Sequence, residues 1–280
     1  MSNLFRRTLT GACIVIFILG GLWLHPVTFF VVGLVLMTCT QYEYCNLIRN
    51  EGARPQVVLG ITTSVVSYVT STLVALGTIP VRSFLILIPL MSVIMVVELY
   101  RKQEKPFDSL AHTFFSVFYT ALPFSMFPFA AFGKTGMSAL LPNNNIIFSP
   151  GIVIGFFILI WSNDTGAYLT GVSVGRHKMI ERISPKKTWE GFFGGLIIAA
   201  LIAWLISGWL GVVDKTHWII ISIIISVAGT YGDLIESMLK RDTGVKDSGN
   251  ILPGHGGFLD RFDSAILSFP LVFLFILLFC

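Results

Sequence analysis

The chain has 280 residues, of which 54% are hydrophobic and only 12% charged, and its mean hydropathy is +0.81. Those proportions exclude an ordinary soluble protein, in which charged residues make up about 25%. The net charge of +4 decides little by its size, because the placement of the cations along the chain carries the information.

A membrane-crossing helix needs about 20 mostly apolar residues. That criterion gives candidate spans at roughly 9–24, 27–48, 57–79, 81–100, 109–132, 150–172, 191–213, 217–238 and 262–280. The expected fold is an all-α integral membrane protein, a polytopic bundle of about nine transmembrane helices with a cytoplasmic N-terminus. With that orientation only Arg82, Lys134 and Lys215 of the 19 Lys and Arg residues fall outside. The first span is the shortest, and an arrangement without it would move Arg6 and Arg7 outside. Arg6-Arg7 followed by Gly11 to Leu24 has the outline of a signal peptide, but His25-Pro26 leads straight into another apolar run, so a retained helix is expected.

The chain divides into N-terminal helices over 1–106, central helices over 107–172, and a C-terminal catalytic region over 173–280 with polar loops at 173–190 and 238–261. In the first five spans Glu43 and Glu98 lie near cytoplasmic ends and read as interfacial anchors. Residues 133–148 read as a solvated external connection. Cys13, Cys39, Cys45 and Cys280 lie in apolar runs and read as buried thiols without disulfide or metal roles. The 24 phenylalanines are scattered through apolar runs, which suits packing and lipid contact rather than base stacking, and no nucleic-acid partner is expected.

The sixth span differs, because Asp164 lies well inside it. An aspartate near a helix centre costs about 2.5–3.5 kcal/mol on insertion scales, so it should face a cavity or a partner. Helical spacing puts Asp164, Ala167, Tyr168 and Gly171 on one face, open to close approach by another helix. A structural interhelical hydrogen bond and a functional role both fit. The following loop, Gly175 to Gly191, carries Arg176, Lys178, Arg182, Lys186 and Lys187. It reads either as a topology signal or as a phosphate clamp in which Ser184-Pro185 starts a short helix or turn and directs Lys186, Lys187 and Thr188 at a nucleotide. Lys187-Thr188 lacks the preceding glycines of a P-loop.

The eighth span ends in a polar stripe. Asp233, Glu236, Ser237 and Lys240 fall at i, i+3, i+4 and i+7 and share one helical face. An internal Asp233–Lys240 or Glu236–Lys240 ion pair is the alternative to a metal-bearing role. Next come Arg241, Asp242, Lys246, Asp247, His255, Gly256, Gly257, Asp260, Arg261 and Asp263 within the least lipid-like stretch of the chain. Carboxylates suit a hard divalent cation such as Mg²⁺, cations suit phosphate oxygens, and glycines let backbone N–H groups approach an anion.

The order Ser237, Lys240-Arg241, Lys246-Asp247, Gly249, Leu252-Pro253, His255-Gly256-Gly257-Phe258, Asp260-Arg261 and Asp263 closely resembles the signature of phosphatidate cytidylyltransferases. The runs around Asn163-Asp164-Thr165, Ser184 to Gly191, and Gly232 to Ser237 are similar to further segments of that family. The resemblance implies transfer of a cytidylyl group from CTP to phosphatidic acid, with release of pyrophosphate. Spacing and resemblance together make Asp233 and Asp260 the main expected Mg²⁺ ligands, with Asp247 and Asp164 completing the shell. Lys186, Lys187, Lys240, Arg241, Lys246 and Arg261 become candidate phosphate ligands, Thr188 and Ser237 substrate contacts, and Gly256-Gly257 backbone donors; His255 would orient a phosphate or assist proton movement. By the same analogy the expected partners are CTP, phosphatidic acid in the bilayer, other membrane lipids and a second copy in a homodimer. The expected location is a bacterial inner membrane, with the site facing the cytoplasm. A CTP-using enzyme with another lipid acceptor is the nearest alternative, and a secondary transporter coupled through Asp164 and Asp233 is a more distant one.

Overall fold

The computed structural model describes residues 3–49, 52–132, 148–249 and 256–280, with side chains in the first helix described at Gly11 and from Val15 on. Helices α1 (Asn3–Leu24), α2 (Pro26–Arg49) and α3 (Val57–Ala75) come first. A 3₁₀ turn then leads into α4 (Leu87–Tyr100). Next α5 (Pro106–Ser116) runs through a π turn, Val117–Ala121, into α6 (Leu122–Ala131), and the two form one rod. The last four are α7 (Gly151–Val174), α8 (Trp189–Leu210), α9 (Lys215–Asp242) and α10 (Leu259–Phe279). Among the described residues eight rods are long and apolar enough to cross a membrane. The first helix, whose 22 residues exceed the run expected from sequence, is not among those eight; its described apolar part is the shorter Val15–Leu24. The all-α polytopic architecture is as the sequence predicts.

Local chemistry sets the ends that matter for the site. Thr188 caps α8 by accepting the Gly191 N–H at 3.2 Å, and Asp214 caps α9 by accepting the His217 N–H at 2.9 Å. Helix α9 runs on to Asp242, so Lys240 and Arg241 stand on a helix rather than in a loop, and the polar connection narrows to residues 243–258. Ser184-Pro185 forms a turn, not a helix.

The core is aromatic. Phe269 of α10 packs edge-on against Phe127 of α6 and Phe156 of α7, with centroids 4.4 and 4.8 Å apart, in the geometry that ring quadrupoles favour. Helices α4 and α8 lie at the rim, with only 11% and 22% of their spanning windows buried, against 50–61% in the other spans. Their outward side chains, among them Leu99, Tyr100 and Trp209, present the apolar surface a bilayer requires.

Two close helix contacts position the polar groups. Gly166, Ala167 and Gly171 of α7 meet Gly191 and Gly195 of α8, where a Cβ on Gly195 would stand 2.7 Å from the Asn163 carbonyl oxygen. This is the partner expected for the small face beside Asp164. Between α9 and α10, a Cβ on Gly232 would stand 2.6 Å from the Asp263 carbonyl oxygen. Only glycine permits that approach, and it draws the Asp263 segment onto the polar stripe of α9.

The reading of Glu43 and Glu98 as interfacial anchors is corrected. Glu43 is 2% and Glu98 3% exposed. Glu98 Oε2 accepts from Gln56 Nε2 at 2.6 Å and from Arg101 Nη1 at 2.7 Å. Burial of a carboxylate is tolerated where donors converge on it, and here those donors come from separate parts of the chain.

Candidate active site

The loop between α7 and α8 folds back on itself. Met179 N–H donates to the Lys187 carbonyl at 3.1 Å, and Trp189 N–H donates to the His177 carbonyl at 2.9 Å. Glu190 then accepts the backbone N–H groups of Arg176 and His177 at 3.0 and 3.2 Å and lies 2.6 Å from His177 Nδ1. The doubled loop aims Lys187 at α9, where its Nζ lies 2.6 Å from Asp233 Oδ2 and donates to the Thr230 carbonyl at 3.2 Å. Asp164, Lys186, Lys187, Thr188 and Asp233 line one cavity of about 270 Å³ with Asn163, Tyr168 and Thr230. Sequence motifs from α7, the basic loop and α9 therefore meet in a single cavity.

Below the cavity the stripe of α9 turns inward. Ser237 Oγ donates to Asp233 Oδ1 at 3.2 Å. Glu236 is fully buried, with Lys240 Nζ 2.5 Å from its Oε2. The Glu236–Lys240 pair weighed from the sequence is thus present, but Lys240 also donates to Asp260 Oδ1 at 2.7 Å. The ammonium bridges α9 and the start of α10.

Asp233, Glu236 and Asp263 each place a carboxylate oxygen within 4.8 Å of the others. Asp263 is 8% exposed, and Glu236 Oε1 has no hydrogen-bond partner among the described residues. Three carboxylates so close repel one another unless a cation compensates them, and Lys240 and Lys187 each face only one. The donor set, all hard oxygen with one buried oxygen unpartnered, fits a divalent cation.

The remaining predicted residues occupy several settings. Asp260 Oδ2 accepts the N–H groups of Ser248 and Gly257 at 3.0 and 2.8 Å, so this carboxylate closes the base of the polar turn and is not in the three-carboxylate group. Lys246 and Asp247 are exposed on that turn, and Gly256 takes φ +80°, which glycine alone adopts freely. Arg241 reaches the basic loop, its Nε donating to the Ile183 carbonyl at 3.4 Å. Arg261 is exposed, and His255 lies outside the described residues.

Sequence reasoning did not assign Glu236 and Asp263 to the metal group, although spacing offered a hint: Asp233 with Glu236, and Asp260 with Asp263, each fall at i, i+3. Glu43 was also missed. Its Oε2 accepts the Leu259 N–H at 2.9 Å, and Ser248 Oγ lies 3.5 Å away.

Fold and site together define a polytopic membrane protein that gathers buried carboxylates, fixed ammonium groups and a glycine-bearing turn at one end of its helices. The cytidylyltransferase family model matches residues 5–279, and the chain belongs to that family. It is 47% identical over 123 residues to the phosphatidate cytidylyltransferase of Bacillus subtilis, covering 44% of this chain and 46% of that protein. A phosphatidate cytidylyltransferase of Staphylococcus epidermidis is 47% identical over 118 residues, 41% of this chain and 45% of its own length. One of Staphylococcus aureus is 41% identical over 172 residues, 58% and 66% of the two. The matches to the first two relatives thus span about half of their length.

Proposed function

We propose that this protein transfers a cytidylyl group from CTP to phosphatidic acid, giving CDP-diacylglycerol and pyrophosphate. The observation that carries the proposal is the convergence of Lys187, Asp233, Glu236 and Asp263 from the basic loop, α9 and α10 at one end of the bundle. Family membership supplies the nucleotide chemistry, and the names of the relatives point to phosphatidate as acceptor.

In this reaction a phosphate oxygen of phosphatidic acid attacks the α-phosphorus of CTP, a new P–O bond forms, and the bond to the pyrophosphate leaving group breaks in line. Two polyanions must approach, and charge must be neutralised as the leaving group departs. Lys186 and Lys187 on the cavity wall meet the phosphates, while Asp164 and Asp233 orient the ammonium groups beside them. Asp233, Glu236 and Asp263 would hold Mg²⁺, which when bound supplies charge neutralisation at the transferred phosphoryl group. Lys240 and Asp260 tie the end of α9 to the start of α10. Arg241, Lys246, Arg261 and Gly256 sit on or beside the polar turn and offer further donors to phosphate oxygens, whereas the Gly257 N–H expected to do so is taken by Asp260. The acceptor phosphate is already ionised near neutral pH, so no dedicated general base is needed.

Each buried CH₂ holds the acceptor in the bilayer by about 0.8 kcal/mol, so the lipid headgroup enters sideways. Tyr168 on the cavity wall is 69% exposed toward the helix exterior, consistent with such an entrance. The excess of basic residues bordering the site favours the cytoplasmic side of a bacterial membrane for this end, where CTP is found. Purified protein supplied with CTP, Mg²⁺ and a panel of phosphate-bearing lipids tests the acceptor. CDP-diacylglycerol formed fastest from phosphatidic acid supports the proposal, and faster reaction of a polyprenyl or ether-lipid acceptor would move the enzyme to another specificity.

A further inference from the structure

Glu43 lies on α2, more than 200 residues from the polar turn it touches. Its burial at 2% exposure calls for a reason, because an ionised carboxylate is kept from water only where donors meet it. The donors are those of the turn. Leu259 N–H, at the opening of α10, donates to Oε2 at 2.9 Å, and Ser248 Oγ, at the other side of the turn, lies 3.5 Å from the same oxygen. Two glycines fit around the carboxylate. A Cβ on Gly249 would stand 2.6 Å from Glu43 Oε1, and one on Gly257 would collide with Glu43 Oε2. Asp260 closes the same neck from within the turn through the N–H groups of Ser248 and Gly257.

We propose that Glu43 is a positioning residue for the reaction: its carboxylate clamps both ends of the polar turn onto α2 and so fixes the register of Asp260 and Asp263 against α9. As a role in catalysis this rests on the cytidylyl-transfer reading, but the clamp itself is a property of the fold. The carboxylate also stands at the positive end of α10, where the Leu259 N–H points at it.

The test compares Glu43→Ala, Glu43→Gln and Glu43→Asp in the full chain with wild type. Kinetics at saturating Mg²⁺ are paired with amide hydrogen exchange over residues 244–249 and 256–262. The clamp predicts faster exchange in those stretches for Glu43→Ala, with exchange in α7 and α8 unchanged. It also predicts a fall in kcat of about tenfold or more, since small displacements of reacting groups cost that much, while KM for phosphatidic acid stays within about twofold. Glu43→Gln, which keeps an acceptor oxygen for the Leu259 N–H, should retain more activity than Glu43→Ala. Gly257→Ala should be impaired alone, and partly relieved in the Glu43→Ala background, where the carboxylate is gone and Ser248 Oγ, 2.6 Å from the added Cβ, still crowds it. Wild-type exchange and kcat in both Glu43→Ala and Glu43→Gln would overturn the clamp, as would a kcat loss that disappears when rates are scaled to the folded fraction. If Glu43→Ala does not fold, Glu43→Asp, whose shorter side chain draws the carboxylate away from the Leu259 N–H, carries the same comparison. A wild-type protein that makes no CDP-lipid would instead overturn the functional reading, and the exchange measurement would still decide the clamp.

Discussion

Lys187 Nζ lies 2.6 Å from Asp233 Oδ2, joining the basic loop that follows α7 to the polar stripe of α9 across 46 residues of sequence. The pair is half open to the cavity, with side-chain exposures of 23% and 35%, so its ammonium can exchange a carboxylate for a phosphate oxygen when substrate arrives. Lys187→Ala should therefore lower kcat/KM for CTP by about tenfold or more, with Lys187→Arg intermediate. Unchanged steady-state kinetics would return the loop to a purely topological role.

Under the proposed reaction the acidic residues should fall into two sets with different metal dependence. Asp233→Asn, Glu236→Gln and Asp263→Asn should each raise the Mg²⁺ concentration for half-maximal activity and lower the maximal rate by about 100-fold or more. Asp260→Asn should also cripple turnover by loosening Lys240 and the base of the turn, yet leave the Mg²⁺ midpoint near that of wild type. A Mg²⁺ titration of the four variants separates the sets; a shifted midpoint for Asp260→Asn would make that residue a metal ligand.

Gly232→Ala tests the approach of α10. The added methyl meets the Asp263 carbonyl oxygen and should destabilise the folded protein by about 1–3 kcal/mol, lowering the melting temperature in detergent and reducing activity. Gly208→Ala, where a Cβ meets nothing within 4 Å, is the control and should leave both unchanged.

Away from the site, Arg101→Ala removes one of the donors to buried Glu98. A loss of about 2–3 kcal/mol in stability is expected, read as a lower melting temperature. The folded variant should keep the wild-type KM for CTP.

The sequence made the bundle and the polar stretch legible because both are local patterns. Spans follow from runs of apolar residues, and the stripe of α9 follows from helical spacing. The parts it hid depend on distant packing. Glu43 reads as an ordinary polar residue near a helix end until α2 is laid against the start of α10. Asp263 joins Asp233 only because Gly232 lets α10 come close. Asp260 reads as a ligand by its place in the signature, and nothing in the sequence signals that its oxygens accept from two backbone N–H groups and Lys240.

The most direct measurement follows two labels in one reaction. Purified protein in phosphatidate-containing micelles receives Mg²⁺ with CTP labelled at the α-phosphate or, in parallel, at the γ-phosphate. The account predicts α-label in the lipid and γ-label in pyrophosphate at equal rates, both abolished by EDTA and restored by Mg²⁺. Label from the γ-phosphate entering lipid, or turnover that persists after complete chelation, would contradict it.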